Sequence, residues 1–341
     1  RDNPPVVLTP SLPPSPQAEA FQRVGEYTVN NASGIPDISI PLYEINHHGY
    51  KIPITLRYIA TPLKSGYNYD VTGQGWILTT GFCISRTIAS RPDELANFKL
   101  NDDSINCSLC QYQYYRENLN LLNYQRDLFK CVLPNGDSFQ FYMTKNGNSP
   151  ISYTLSTKRD FLIVAQANTT EISKFTVTDD SGVVYTFDII EKTTDSQYPM
   201  ANVGWYLSRI DLPNCTSPIY LQYNASMRQY HIEGQAEQVI SMIHNHPYPN
   251  DLVQVQTANI SQPSYYTTKL LTRINYGNES ITFTYKNGTN EQDYNYLSKM
   301  TVVGWKEYRF NYSISNSYHP NHPLALLNRL VVKGPVTSPT D

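Results

Sequence analysis

Gly73-Gln74-Gly75-Trp76-Ile77-Leu78-Thr79-Thr80-Gly81-Phe82-Cys83-Ile84-Ser85-Arg86 is the stretch on which the reading of this chain turns. Gly73, Gly75 and Gly81 bracket Trp76 and Leu78, and glycine suits points where backbone approaches backbone or takes a positive φ. Two strand candidates lead in. In Ile38-Ser39-Ile40-Pro41-Leu42-Tyr43-Glu44-Ile45 the residues Ile38, Ile40 and Leu42 alternate with others. In Ile52-Pro53-Ile54-Thr55-Leu56-Arg57-Tyr58 the residues Ile52, Ile54, Leu56 and Tyr58 do the same. Period-2 alternation places each apolar set on one face of a sheet. Asn46-His47-His48-Gly49-Tyr50 between them is turn-like, so residues 34–86 read as an antiparallel hairpin feeding a β-corner. Aromatic rings most often carry core area, so Trp76 reads as a packing anchor ahead of a ligand platform.

The composition is that of a β protein. Charged residues are 16% of the 341, against about 25% in ordinary soluble domains, while Tyr occurs 28 times. Tyr, Thr, Ile and Val suit pleated, half-buried surfaces. Twenty-three prolines and repeated Asn-Gly steps leave little uninterrupted length for helices. The expected fold class is all-β: serial antiparallel β-hairpins in an extended, coiled or curved sheet, with few short helices. A net charge of −3 without any basic run gives no footprint for nucleic acid. No apolar run reaches the ~20 residues that span a bilayer as a helix. The first residue is Arg1 rather than Met, as in a processed or trimmed protein. Of the five cysteines, Cys83, Cys107, Cys110, Cys131 and Cys215, the pair Cys107-x-x-Cys110 has no partner pair at zinc-finger spacing. A local disulfide or free thiols are expected, rather than metal or redox chemistry.

Four regions follow along the chain. Residues 1–17 are a proline-rich extended lead, and 18–90 hold the first hairpin and the Trp76 corner. Residues 91–200 are a middle β region with a polar insert, in which 112–128 is the stretch most open to a short helix. Asp93-Glu94 reads there as a solvated turn that caps local backbone donors. The β signal returns as hairpins around Pro134-Asn135-Gly136-Asp137 and Asp179-Asp180-Ser181-Gly182. Residues 201–341 carry an internal repeat. Leu207-Ser208-Arg209-Ile210, Leu271-Thr272-Arg273-Ile274, Leu297-Ser298-Lys299-Met300 and Leu327-Asn328-Arg329-Leu330 share the order Leu, small polar, basic, aliphatic. In the first three a Tyr (Tyr223, Tyr285, Tyr312) closes an alternating strand 14–16 residues after the Leu. Each unit is a hairpin that must stack on the next to bury its apolar residues. Leu and the aliphatic three positions on fall on opposite faces of a regular strand, which requires burial on both faces or a bulge. Residues 224–269 interrupt the spacing as an insertion, with a short helical turn expected near 235–243.

The opening segment resembles that of bacterial RHS/YD-repeat proteins. In that family a "G-x-P-x-I-x-I-P-L" strand precedes a "P-I-x-L-x-Y" strand and then a "G-x-G-W-x-L-x-x-G-x-x-I-x-R" segment. Here Gly34 to Leu42, Pro53 to Tyr58, and Gly73, Gly75, Trp76, Leu78, Gly81, Ile84 and Arg86 meet them, with Gln74 where the family has Leu. Asp127, Phe129, Gly136 and Phe139, then Gly182, Tyr185 and Phe187, fit the family's next hairpins. The resemblance implies an exported, non-catalytic structural segment whose stacked hairpins contribute to a β-shell that encloses or displays a C-terminal effector. Its partners would be the rest of its own longer chain, and Trp76, Trp205 and the strand-closing tyrosines would be packing anchors. The alternative, from a different class, is a cell-surface β-sandwich that binds glycans, since Tyr with Asn, Asp and Trp also builds sugar-stacking platforms.

Catalytic, cofactor and metal motifs are not found. There is no Gly-rich phosphate loop, nucleophile elbow or H-E-x-x-H. His244-x-His246 and His319-x-x-His322 have metal-like spacing but no carboxylate cluster beside them, so they read as surface residues. Two outcomes are expected from the sequence. Chelators should leave the melting temperature unchanged. If Trp76 is the buried centre of its corner, Trp76→Ala should cost about 3–5 kcal/mol, visible as a large fall in melting temperature.

Overall fold

The computed structural model describes residues 38–59, 71–88, 92–93, 126–144, 152–155, 160–167, 171–194, 201–231, 236–242, 253–259, 263–286, 296–315 and 324–334. They form strands and no α-helix. β1 (Ile38–His47) and β2 (Tyr50–Tyr58) pair antiparallel across His48-Gly49, both at positive φ (49° and 84°). This is the pattern of the type I′ turn, whose twist matches that of the flanking strands. β3 (Trp76–Leu78) pairs with β2 and completes a three-stranded sheet.

The chain then enters a fourteen-stranded antiparallel sheet. Its first members are β4 (Cys83–Thr87), β5 (Leu128–Val132), β6 (Ser138–Thr144), β7 (Ser152–Leu155), β8 (Leu162–Ala167) and β9 (Ile172–Thr178). They are followed by β10 (Val184–Thr194), β11 (Ala201–Asp211) and β12 (Ile219–His231). β13 (Ala236–Met242) and β14 (Val253–Asn259) stand apart as a hairpin of their own. β15 (Pro263–Tyr276), β16 (Glu279–Lys286), β17 (Tyr296–Val302), β18 (Lys306–Ser315) and β19 (Leu324–Lys333) complete the large sheet. The main path runs β7-β6-β5-β4-β11-β10-β15-β16-β17-β18-β19, with β12 joined to β11 and β15, and β9 and β8 continuing from β10. It does not close into a barrel.

One local expectation is corrected. Residues 236–242 are strand β13, not a helical turn: β-branched Val239 and Ile240 face Gln256 and Val255 across an antiparallel ladder. The insertion at 224–269 begins and ends by lengthening a hairpin, since Asn224 pairs with Leu270 and the ladder continues to His231 and Pro263, and it holds the separate β13–β14 hairpin between. Of the stretch 112–128, Leu128 opens β5; most of the rest lies outside the described residues.

The first hairpin lies over the large sheet. Leu42, Ile45, Ile52, Ile54 and Leu56 share one core with Phe129, Phe141, Phe175, Trp205, Ile274 and Met300. Trp205 is fully buried; its ring meets Phe175 edge-on at 4.9 Å, and its Nε1–H donates to the Ile172 carbonyl at 2.8 Å. The next residue, Tyr206, packs with Ile77 and Cys83 on the opposite face. Every residue from Ala201 to Leu207 is buried, so β11 is a central strand covered on both sides.

Beside it is a buried ion pair. Arg86 Nε donates to Asp127 Oδ2 at 2.8 Å, and both side chains are 0% exposed. The same Oδ2 accepts the Asp93 N–H at 3.0 Å, while the Asp93 carboxylate accepts the Asp127 N–H at 3.1 Å. Asp93 is therefore not the solvated turn residue expected from Pro92-Asp93-Glu94; it is buried and bonds a segment 34 residues away. Removing one member of such a pair leaves an uncompensated buried charge. Arg86→Met should lower stability by about 3–5 kcal/mol, and Arg86→Met with Asp127→Asn should recover part of that loss. Trp205→Ala should cost a comparable ~3–5 kcal/mol. Urea midpoints of the four proteins, wild type included, are the measurement.

Candidate functional site

The repeated Leu-polar-basic-aliphatic motif forms the same joint each time. Between β10 and β11, Phe187 faces Leu207 and Thr186 faces Arg209, so Ser208 is an extra residue. Between β12 and β15, Tyr223 faces Leu271 and Gln222 faces Arg273, with Thr272 extra. Ser298 is extra between β16 and β17, and Asn328 between β18 and β19. Two residues opposite one is a β-bulge. The bulge returns Leu and the aliphatic three positions later to one face, which is why Leu207 with Ile210, Leu271 with Ile274, and Leu297 with Met300 are all buried. The side chain of the extra residue is used as well. Ser208, Thr272 and Ser298 donate their hydroxyls to the carbonyls of Thr186, Gln222 and Thr284, at 3.2, 3.0 and 2.9 Å.

The closing tyrosines complete the joints. Each pairs with the Leu of the following unit, and its hydroxyl reaches back to the Leu of its own: Tyr285 to the Leu271 carbonyl at 2.7 Å, Tyr312 to the Leu297 carbonyl at 2.8 Å. The first hairpin is docked in the same manner. β1 has a register shift between Pro41 and Tyr43, and the Tyr308 hydroxyl donates to the Leu42 carbonyl there. Tyr223 differs: it packs on Tyr206, and its hydroxyl is buried with no hydrogen-bond partner.

The Trp76 corner is sewn to the far end of the repeat. Gln74 N–H donates to the Ala325 carbonyl at 2.8 Å, and Leu297 N–H to that of Val71 at 2.7 Å. Gly73 and Gly75 have φ of 87° and 77°; a Cβ on Gly75 would lie 2.7 Å from the Tyr58 ring. Gly81 is buried between β3 and β4. Trp76 itself is only half-buried, against Tyr58 at 5.3 Å. The corner is held by backbone bonds and glycines, and the role of fully buried tryptophan belongs to Trp205. Trp76→Ala should consequently cost less than Trp205→Ala.

An open groove of about 610 Å³ runs over the outer side of the sheet, lined by Lys174, Asp188, Arg209, Asp211, Tyr220 and Gln222 among others. Tyr220 is 43% exposed, but the Arg209 guanidinium sits 5.4 Å over its ring while binding Asp211. Cys83, Cys131 and Cys215 are free thiols; Cys107 and Cys110 lie outside the described residues. Burial, then the Glu191 charge, push the Cys83 thiol up, and burial pushes up Cys131, so neither is a thiolate at neutral pH. Among the described residues one group of metal-ligating side chains comes together, His47, His48 and Cys215. Sequence spacing hid it, since the contributing segments are far apart; His244, His246, His319 and His322 lie outside the described residues.

No family profile matches the chain, and no curated protein matches it. The joints can be tested by one substitution at three equivalent places. Tyr285→Phe and Tyr312→Phe each remove the hydrogen bond to a bulge carbonyl and should cost about 1–3 kcal/mol. Tyr223→Phe removes a hydroxyl that has no partner and should be neutral or mildly stabilising. Thermal melts of the three variants give the comparison, and equal losses would contradict the assignment.

Proposed function

We propose that this chain is a non-catalytic wall segment of an exported RHS/YD-repeat-type β-shell, built to be continued by further hairpins. One observation carries the reading. The joint motif is buried in the first three units but half-exposed in the fourth. Leu327 and Leu330 are partly buried, and Val332, which faces buried Tyr308 across the ladder, is 52% exposed. β19 is an edge strand among the described residues, and apolar residues there with the register of an interior joint are what a following hairpin would cover. The sequence resemblance supplies the rest: enclosure or display of an effector and partnership with the rest of the same chain.

The glycan-binding alternative rests on exposed Tyr220 in the open groove. One face of that ring is already taken by Arg209, which leaves less of the flat surface a sugar stacks on. The two readings separate by experiment. The native gene read past Asp341 should encode further units of the Leu-polar-basic-aliphatic type, and β19 amides should exchange more slowly in that longer product than in the 341-residue chain. A gene without such units, or unchanged β19 exchange, overturns the shell. Glycan-array binding abolished by Tyr220→Ala would establish the alternative.

A further inference from the structure

The tip of the β1–β2 hairpin meets the loop between β11 and β12, and three metal-ligating atoms converge there. A ring nitrogen of His47, a ring nitrogen of His48 and Cys215 Sγ lie within 4.8 Å of one another. We propose that these three side chains form a binding site for a divalent cation of the zinc class.

Three features support a built site rather than a chance meeting. His47 is 7% exposed and fixed: its Nε2–H donates to the Ser217 carbonyl at 2.8 Å, and its ring lies edge-on to Tyr276 at 6.2 Å. The Cys215 thiol donates to the same carbonyl at 3.4 Å, which holds it beside His47 until the cation takes the place of its proton. The non-glycine residues with positive φ among the described residues are His48 and Asn214, one a ligand and the other beside one.

The chemistry selects the ion. Two imidazoles and a thiolate suit Zn²⁺ or Co²⁺ and not Ca²⁺ or Mg²⁺, which prefer oxygen. Tetrahedral bonds of about 2.0–2.3 Å require ligand atoms roughly 3.3–3.8 Å apart. Rotation of the exposed His48 ring and of the half-buried Cys215 supplies that contraction. On binding, the thiol proton leaves to solvent, sulfur and two ring nitrogens donate lone pairs to the cation, and nothing is oxidised or reduced. The fourth position, on the exposed side of His48, is open to water. A bound cation would clamp the first hairpin to the β11–β12 loop, and the expected indifference to chelators gives way to stabilisation by metal.

The test uses the 341-residue chain stripped with chelator, then titrated with ZnCl₂ by calorimetry and with CoCl₂ by absorption spectroscopy. Expected are one equivalent of saturable binding, a thiolate-to-cobalt charge-transfer band, and a melting temperature that rises with free Zn²⁺. Cys215→Ser should abolish the band. His48→Asn, which tolerates the left-handed turn, should weaken binding by about tenfold or more while melting like the metal-free wild type. Absence of saturable binding overturns the proposal. So does binding that survives both substitutions, which would place the metal on other histidines.

Discussion

A tyrosine hydroxyl that satisfies a carbonyl released by a β-bulge is the interaction on which this sheet depends. Each bulge breaks the ladder locally, and a buried carbonyl left without a donor costs about 1–3 kcal/mol. Tyr285, Tyr312 and Tyr308 answer that cost at Leu271, Leu297 and Leu42. The bulge is worth keeping because it turns Leu and the aliphatic three residues later onto the same face. Without it, one of each pair would point away from the core. The extra residue must be small and polar for the same reason: its hydroxyl bonds the carbonyl across the ladder at Ser208, Thr272 and Ser298. The repeat is therefore a statement of hydrogen-bond needs as much as of hydrophobic pattern.

The same residue type fastens the first hairpin to the large sheet. Tyr43 bonds Tyr276 and Tyr50 bonds Tyr185, hydroxyl to hydroxyl at 3.0 Å, and the Tyr185 hydroxyl donates to Asp179 Oδ2 at 2.9 Å. Asp179 also accepts the N–H groups of Ser181 and Val183 in the β9–β10 turn. A turn carboxylate thereby holds a tyrosine that holds the hairpin. Burial raises the Tyr185 and Tyr276 hydroxyls above their ordinary range, so both keep their protons at any physiological pH. Tyrosine brings a large apolar ring and a polar tip in one side chain. A sheet with few charges and many internal joints uses it for both.

Much of this was legible in residue order. Period-2 runs located β1 and β2 to within two residues at each end, the Asn-Gly and Asp-rich turns gave the β5–β6 and β9–β10 hairpins, and the motif spacing gave the serial order of the repeat. What stayed hidden depends on partners distant in sequence. The bulge was one of two alternatives until Tyr223, Tyr285 and Tyr312 were seen opposite Leu271, Leu297 and Leu327. Arg86 looked like a motif residue, and only the fold brings Asp127 and Asp93 to it. Trp76 and Trp205 cannot be ranked from local sequence, because burial depends on which strand becomes central. The stretch at 235–243 misled for a related reason: pairing with β14 outweighs modest helix propensity.

Tyr223 is the departure that explains how the repeat begins. In the later units the tyrosine's own Leu sits on the neighbouring strand along the series. β11, however, pairs with β12 only at Arg209–Tyr220 and Ile210–Ile219, because β4 takes its edge at Gly204 to Tyr206. Leu207 N–H is accordingly bonded to the Phe82 carbonyl rather than within a hairpin ladder. The first unit's hairpin is cut short so that the strand arriving from the Trp76 corner can join the sheet, and the Tyr223 hydroxyl is left without an acceptor. β11 is thus the strand where two architectures meet. On one side lies the sheet built from β4 to β7, on the other the series that runs to β19. The faces of β11 are covered from above and below: Trp205 and Leu207 enter the core shared with the first hairpin, and Tyr206 packs with Ile77 and Cys83 on the other side.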